Sequence, residues 1–371
     1  MRIAVLGIVL ASGCLARGWI YDRLAPGPPA PTQVVEGLDD VSAQTCGGCH
    51  TSIYGEWSQS MMSKAFDDPL FQAQWKSQQE LFLCLHCHTP LQEQQPVLVT
   101  GLEKLKPMTG RGETNQNFDA ELQHEGVTCA ACHVKGGKVV GSVEGIDAPH
   151  PVAVDSQMGV TGEVCEGCHQ LDAPVLYRLD RPLSDTFGEW RRWKSETGAD
   201  ESCVDCHMSV VERPWVDGGI VRTSHDHRFL GRSSADLLRS GLRWEPPTLQ
   251  SSTVEVVVEN LAGHNYPTGE PGHRLVVSVA LLDDAGLVLQ QREERMVRNI
   301  QDRVERSDST LKPGEVRRLL FSFDLAHVER AKHIRTTFGF EPVQMPAALL
   351  EMAGLSDAER FVLVEEIQNA L

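Results

Sequence analysis

Aromatic side chains are scarce in this 371-residue chain: they make up 6% of it, and only four are Tyr. With a hydrophobic fraction of 41%, that is little from which to build one large conventional core. The apolar bulk of the fold has to come from elsewhere. Basic residues are also in deficit, 34 against 51 acidic, for a formal charge of -17. A chain this acidic has no electrostatic means of gripping nucleic acid; it presents a solvated acidic face that suits a basic docking partner. The longest N-terminal apolar run, Ile3 to Ala16, is too short for a membrane span. Cysteine is absent after Cys206.

What the chain does have is one pattern in five copies: Cys46-Gly47-Gly48-Cys49-His50, Cys84-Leu85-His86-Cys87-His88, Cys129-Ala130-Ala131-Cys132-His133, Cys165-Glu166-Gly167-Cys168-His169 and Cys203-Val204-Asp205-Cys206-His207. A lone Cys-x-x-Cys pair suits half a zinc site, a redox dithiol or part of a disulfide framework. With His at about one residue in 25, a His after all five pairs by chance has odds of about one in ten million. Cys-x-x-Cys-His is the attachment signature of a c-type haem. Two thiols about one helical turn apart each form a thioether to a vinyl group. The following imidazole then lies under the iron as proximal ligand. The pattern therefore predicts five covalent haems c, with His50, His88, His133, His169 and His207 on the iron. Five such groups would supply the missing apolar surface, and they consume ten of the 11 Cys.

Residues 1–24 read as an export signal or membrane anchor. Ala11-Ser12-Gly13-Cys14 offers a lipidation site as one outcome, a cleaved or uncleaved signal as the other. Either places the protein in the periplasm or another extracytoplasmic compartment, with membrane association only through the N-terminus. Residues 25–40 begin with Pro26, Pro28, Pro29 and Pro31 and form a stiff linker. Residues 41–245 hold the pentahaem cytochrome domain, with helical patterns over Tyr54–Phe66, Pro69–Leu83 and Leu183–Trp193. Pro90–Gly112 and Gly136–Pro151 read as loops. Residues 248–343 change character. Thr253–Glu259, Arg274–Leu282, Leu287–Gln290 and Arg317–Phe323 alternate as strands, with turn signals at Asp283–Gly286 and Lys312–Glu315. Residues 344–371 read as a helical tail. The predicted fold class is multidomain α+β, a mostly helical and loop cytochrome domain followed by an antiparallel β-sandwich.

Each iron has a second face, and its occupant separates a wire from an enzyme. His124, His150, His225 and His227 lie between or just after the motifs and are candidate sixth ligands. His225 and His227 are two residues apart, so His86, His264 or His273 stands in if only one reaches an iron. His264 belongs to the turn-rich loop Gly263-His264-Asn265-Tyr266-Pro267-Thr268-Gly269. There, His264 and Thr268 either fix the loop by hydrogen bonds or bring an imidazole to a haem.

Residues 46–230 resemble the multihaem cytochromes of the cytochrome c-554 and hydroxylamine-oxidoreductase group. The matching pieces are Cys46 to His50 with Tyr54, Trp57, Ser60 and Ala65; Glu125-Gly-Val-Thr-Cys129; Glu189-Trp190; Cys203 to Met208; and His227-Arg-Phe-Leu-Gly231. The resemblance implies Trp-x-x-Ser-x-His, with that His a distal ligand. Here Met62 holds the position, a competent thioether ligand or, with Met61, a core filler. The nitrite-reducing relatives carry a Cys-x-x-Cys-Lys site that this chain lacks. The hydroxylamine-oxidising relatives cross-link a Tyr to the catalytic haem; Tyr21, Tyr54, Tyr177 and Tyr266 match no such motif. The implied function is single-electron transfer between redox partner proteins, quinol-linked or other cytochromes. The alternatives are an oxidoreductase for a small nitrogen or sulfur compound at one open haem, and a docking subunit of a larger electron-transfer complex or filament.

Overall fold

The computed structural model describes residues 29–103, 106–142, 148–155, 158, 162–172, 177–342, 350–351, 353–355 and 361–371. The export signal, Cys14 and the first prolines of the linker lie outside the described residues. The described residues fall into two compact units. Residues up to Pro182, together with Glu201–Phe229, make up most of the first; Leu183–Asp200 and most of the chain from Leu230 onward make up the second.

In the first unit, four of the cysteine motifs sit on short helices that end at the motif histidine: Phe82–His88, Cys129–His133, Glu163–His169 and Cys203–His207. The first motif is split. The helix Ala43–Gly47 carries Cys46, and His50 is the N-cap residue of the next helix, Thr51–Trp57. Helices this short do not stand alone in water and must be fixed at their ends. Ser42 caps one by accepting from the Thr45 amide at 3.1 Å. Asp205 closes another by accepting from the Ser202 amide at 2.7 Å.

Between the helices run β1 (Val97–Glu103) paired with β2 (Lys106–Thr114), then β3 (Val134–Lys135), β4 (Lys138–Gly141) and β5 (Val152–Val154) in one small sheet. β6 (Val210–Pro214) and β7 (Val221–His225) form a second hairpin. The β1–β2 hairpin replaces the loop expected over Pro90–Gly112. Its glycines mark irregular pairing, with register shifts at Val99/Gly101 and Leu102/Glu103, rather than absence of strand. The expected helix over Tyr54–Phe66 stops at Trp57 and continues as turns. The buried apolar residues here form separate small clusters: Leu81, Phe82, Leu83 and Leu102 in one; Val35, Val41, Leu91, Leu122 and Ala130 in another; Phe66, Phe71 and Leu85 in a third.

The second unit has one continuous core. β8 (Leu242–Trp244), β9 (Thr248–Gln250) and β10 (Thr253–Asn260) share a sheet with β14 (Val316–Ser322). The other sheet runs in the order β13-β12-β11-β15-β16, from β11 (Arg274–Leu282), β12 (Val288–Gln301), β13 (Val304–Asp308), β15 (His333–Glu341) and β16 (Val362–Ala370). All these pairs are antiparallel. Val254, Val256 and Val258 of one sheet and Leu275, Val277, Val279 and Leu281 of the other are fully buried in the shared core, as alternation requires. The Asp283–Gly286 turn forms where its residues place it. The Asp283 carboxylate accepts from the amides of Ala285 and Leu287, both at 2.9 Å, and Gly286 takes φ +80°.

Two features of the second unit depart from the sequence reading. The described end of the expected helical tail, Val362–Ala370, is a strand paired with β15. The helix Thr186–Thr197, expected among the haem motifs, belongs to this unit. Its buried Glu189 accepts from the Asn265 amide at 3.1 Å and the Thr268 hydroxyl at 2.6 Å. Gly263 lies so close over the Trp193 ring that a Cβ there would meet it at 2.7 Å.

Candidate haem centres

The five motifs approach one another through their thiols. A hydrogen bond from Cys129 lowers the pKa of Cys46, bringing the first and third motifs together. One from Cys87 lowers that of Cys168, joining the second and fourth, and the Cys87 Sγ also lies 3.9 Å from the Cys168 carbonyl oxygen. Cys203 raises the pKa of Cys165, which joins the fourth and fifth. Burial, and then neighbouring Cys168, raise Cys132 to about 11. The fourth motif thus meets the second and fifth and lies near the third. None of the ten motif cysteines is paired in a disulfide.

Three of the five proximal candidates share a tautomer. His50 Nδ1 lies 2.7 Å from the Trp215 carbonyl, His88 Nδ1 2.5 Å from that of Ala65, and His133 Nδ1 2.8 Å from that of Val140. A carbonyl only accepts, so Nδ1 carries the proton and Nε2 keeps its lone pair, the state a metal-bound imidazole requires. Burial lowers the pKa of His133, and burial followed by His207 lowers that of His169, so both are neutral at pH 7.

The sixth-ligand candidates are held in different ways. His225 Nδ1 donates to the Met208 carbonyl at 2.9 Å, next to the fifth motif. His227 Nδ1 donates to the His225 carbonyl at 2.8 Å. Burial, and then His133, push the His227 pKa down to about 4. His227 faces His133 with ring centroids 6.2 Å apart and planes 30° apart. The two neighbours in sequence therefore serve different surroundings. His124 is more exposed; its Nδ1 lies 2.7 Å from the Asp67 carboxylate, and its ring meets Phe66 edge-on. His150 Nδ1 is buried without a hydrogen-bond partner.

Met62 is half-buried in the turn after Trp57. Its carbonyl accepts from the Val127 amide at 2.9 Å. Gly126 permits this approach: it takes φ +61°, and a Cβ there would stand 2.7 Å from the Met62 oxygen. The same turn supplies the Ala65 carbonyl to His88.

His86 is buried and edge-on to Phe82. His264 and His273 sit in the second unit. Their Nδ1 atoms donate to the carbonyls of Asn265 at 2.9 Å and Thr268 at 2.8 Å. Burial pushes the His273 pKa down to about 4. The Gly263–Gly269 loop is fixed by hydrogen bonds, with Glu189 as its acceptor.

Three supporting residues were given no role by sequence reasoning. Glu125 accepts from the Ala43 amide at 2.8 and 3.0 Å and from the Thr128 hydroxyl at 2.6 Å. Glu56 accepts from the His227 amide at 2.8 Å and pairs with the buried Arg213. Arg213 in turn donates to the His225 carbonyl at 2.6 Å. Glu125 lies in one of the pieces that carry the family resemblance, Glu125-Gly-Val-Thr-Cys129, but with no role attached to it there.

These residues fit haem c. The thiols stand one turn apart, His50, His88 and His133 give their Nδ1 hydrogens to backbone carbonyls, and the fragmented cores leave the clusters to be joined by large flat groups. When bound, haem supplies one-electron redox chemistry at iron. Among the described residues no helix is long and apolar enough to cross a membrane.

Residues 45–134, which span the first three motifs, match the family described as cytochrome c554 and c-prime. Among solved structures, the penta-heme cytochrome c552 from Thermochromatium tepidum is similar with a TM-score of 0.65 at 20% identity, covering 89% of this chain and 99% of that one. That likeness is one of fold. A beta-glucuronidase from glycoside hydrolase family 2 aligns at 6% identity and a TM-score of 0.16, over 35% of this chain and 11% of that one, and bears no argument. No curated protein matches the chain. The family match is confined to residues 45–134, where it is carried by the first three Cys-x-x-Cys-His sites; over that segment the chain is similar to the cytochrome c554 and c-prime family.

Proposed function

We propose that the chain is an exported electron carrier that moves single electrons through five covalent haems between redox proteins. The observation that carries this reading is the approach of thiols across motifs: first to third, second to fourth, fourth to fifth. Attachment points this close bring their haems close, and outer-sphere hopping depends on short edge-to-edge distances. The polypeptide's part is spacing, insulation from water and the choice of axial ligands. His50, His88, His133, His169 and His207 are the proximal ligands. Met62, His124, His150, His225 and His227 are the sixth ligands, a set that closes every iron to substrate. The partners are quinol-linked proteins or other cytochromes outside the cytoplasm, met through an acidic face.

Reductive titration of the mature protein tests the reading. Five electron equivalents per chain, with low-spin spectra throughout, are expected. One haem that binds and turns over nitrite or hydroxylamine would move the assignment to an oxidoreductase, and concentration-dependent assembly to a docking subunit.

A further inference from the structure

We propose that His133 and His227 are the two axial ligands of one iron, that of the haem held by Cys129 and Cys132. The pairing rests on the five-haem reading above and adds to it which distal side chain meets which motif.

The distance comes first. An iron–imidazole bond of about 2 Å, with Nε2 about 1.1 Å from the ring centre, puts two axial imidazoles with centroids about 6 Å apart. The His133 and His227 centroids are 6.2 Å apart. The chemistry of the two rings points the same way. Each spends its Nδ1 hydrogen on a backbone carbonyl, of Val140 and of His225. Neither Nε2 has a hydrogen-bond donor among the described residues. Two half-buried lone pairs this close together are costly unless something satisfies both. A metal between them does so.

The support around His227 fixes its position rather than merely filling space. Glu56 holds its amide at 2.8 Å, and Phe229 stands edge-on to its ring at 5.6 Å. His225 is separately committed to Met208, beside the fifth motif. The 30° between the two ring planes is closer to parallel than to perpendicular. Such an arrangement gives a rhombic low-spin resonance rather than a highly anisotropic one.

The test uses mature holoprotein carrying His227→Ala, His227→Met or His133→Met, with intact mass counting haems in each. His227→Ala should convert one haem in five to a high-spin form that binds about one equivalent of carbon monoxide. His227→Met, which guards against a folding defect in the alanine variant, should stay six-coordinate and raise one potential. His133→Met should perturb the same low-spin resonance that His227→Ala removes. Five haems with no high-spin species in His227→Ala, or different resonances lost in the two variants, would overturn the pairing alone. Native protein lacking the third haem would overturn the five-haem reading and the pairing together.

Discussion

Glu125 holds the amide of Ala43 through both carboxylate oxygens, at 2.8 and 3.0 Å. Because the same carboxylate accepts the Thr128 hydroxyl at 2.6 Å, it ties the helix carrying Cys46 to the one that begins at Cys129. Both helices are too short to persist without such anchors.

Replacing Glu125 with Ala strands the Ala43 amide and the Thr128 hydroxyl. The expected loss is about 1–3 kcal/mol of holoprotein stability in a denaturant titration, with Glu125→Gln between the two. An unchanged midpoint in Glu125→Ala would mean that the first and third motifs are held by other contacts.

The second unit should depend on its last strand. β16 pairs along β15 and adds Val362, Val364 and Ile367 to the core. A fragment from Leu230 to Leu371 should fold without haem, because its core is its own. Ending the fragment at Phe361 removes three apolar side chains worth roughly 3 kcal/mol or more. The shortened fragment should lose its cooperative melt by circular dichroism; retention of that melt would show β16 to be dispensable.

Acid stability should report Asp308. Burial disfavours its charge, but hydrogen bonds from Lys312 and Thr310 outweigh burial and hold its pKa down to about 2. A depressed folded pKa stabilises the fold above the unfolded value near pH 4, and that contribution fades as pH falls from about 4 to about 2. Lys312 is half-exposed, so solvent screening limits the effect to about 1 kcal/mol. Asp308→Asn should lower the neutral-pH melting temperature and flatten the decline in this window. An equal slope in both proteins would assign acid sensitivity elsewhere.

How much of this was legible in the chain varied with the kind of constraint. The Cys-x-x-Cys-His sites can be read directly, because covalent attachment demands contiguous residues. β10, β11 and β14 announce themselves by alternation. Val362–Ala370 does not: Glu365, Glu366, Gln368 and Ala370 favour helix, and pairing with β15 overrides that preference. Gly101, Gly110 and Gly112 concealed the β1–β2 hairpin by imitating a loop. The spacing of His225 and His227 left it open whether both could reach an iron. The tether of His225 to Met208 and the approach of His227 to His133 depend on folding that no local pattern encodes. The Glu56–Arg213 pair is hidden for the same reason.

Met62 offers a separate check on the ligand set. A thioether donates less to oxidised iron than an imidazole and raises the potential. One haem should titrate above the others. Met62→His should lower that potential towards the rest, and Met62→Ala should admit carbon monoxide there. Identical redox titrations in wild type and both variants would return Met62 to the core.

A five-haem carrier of this kind has every iron closed. Carbon monoxide titration of the fully reduced native protein, with intact mass on the same sample, tests it most directly. Five covalent haems, one for each of the five motifs, and no carbon monoxide at any iron are expected. Fewer haems, or stoichiometric binding at one of them, would contradict it.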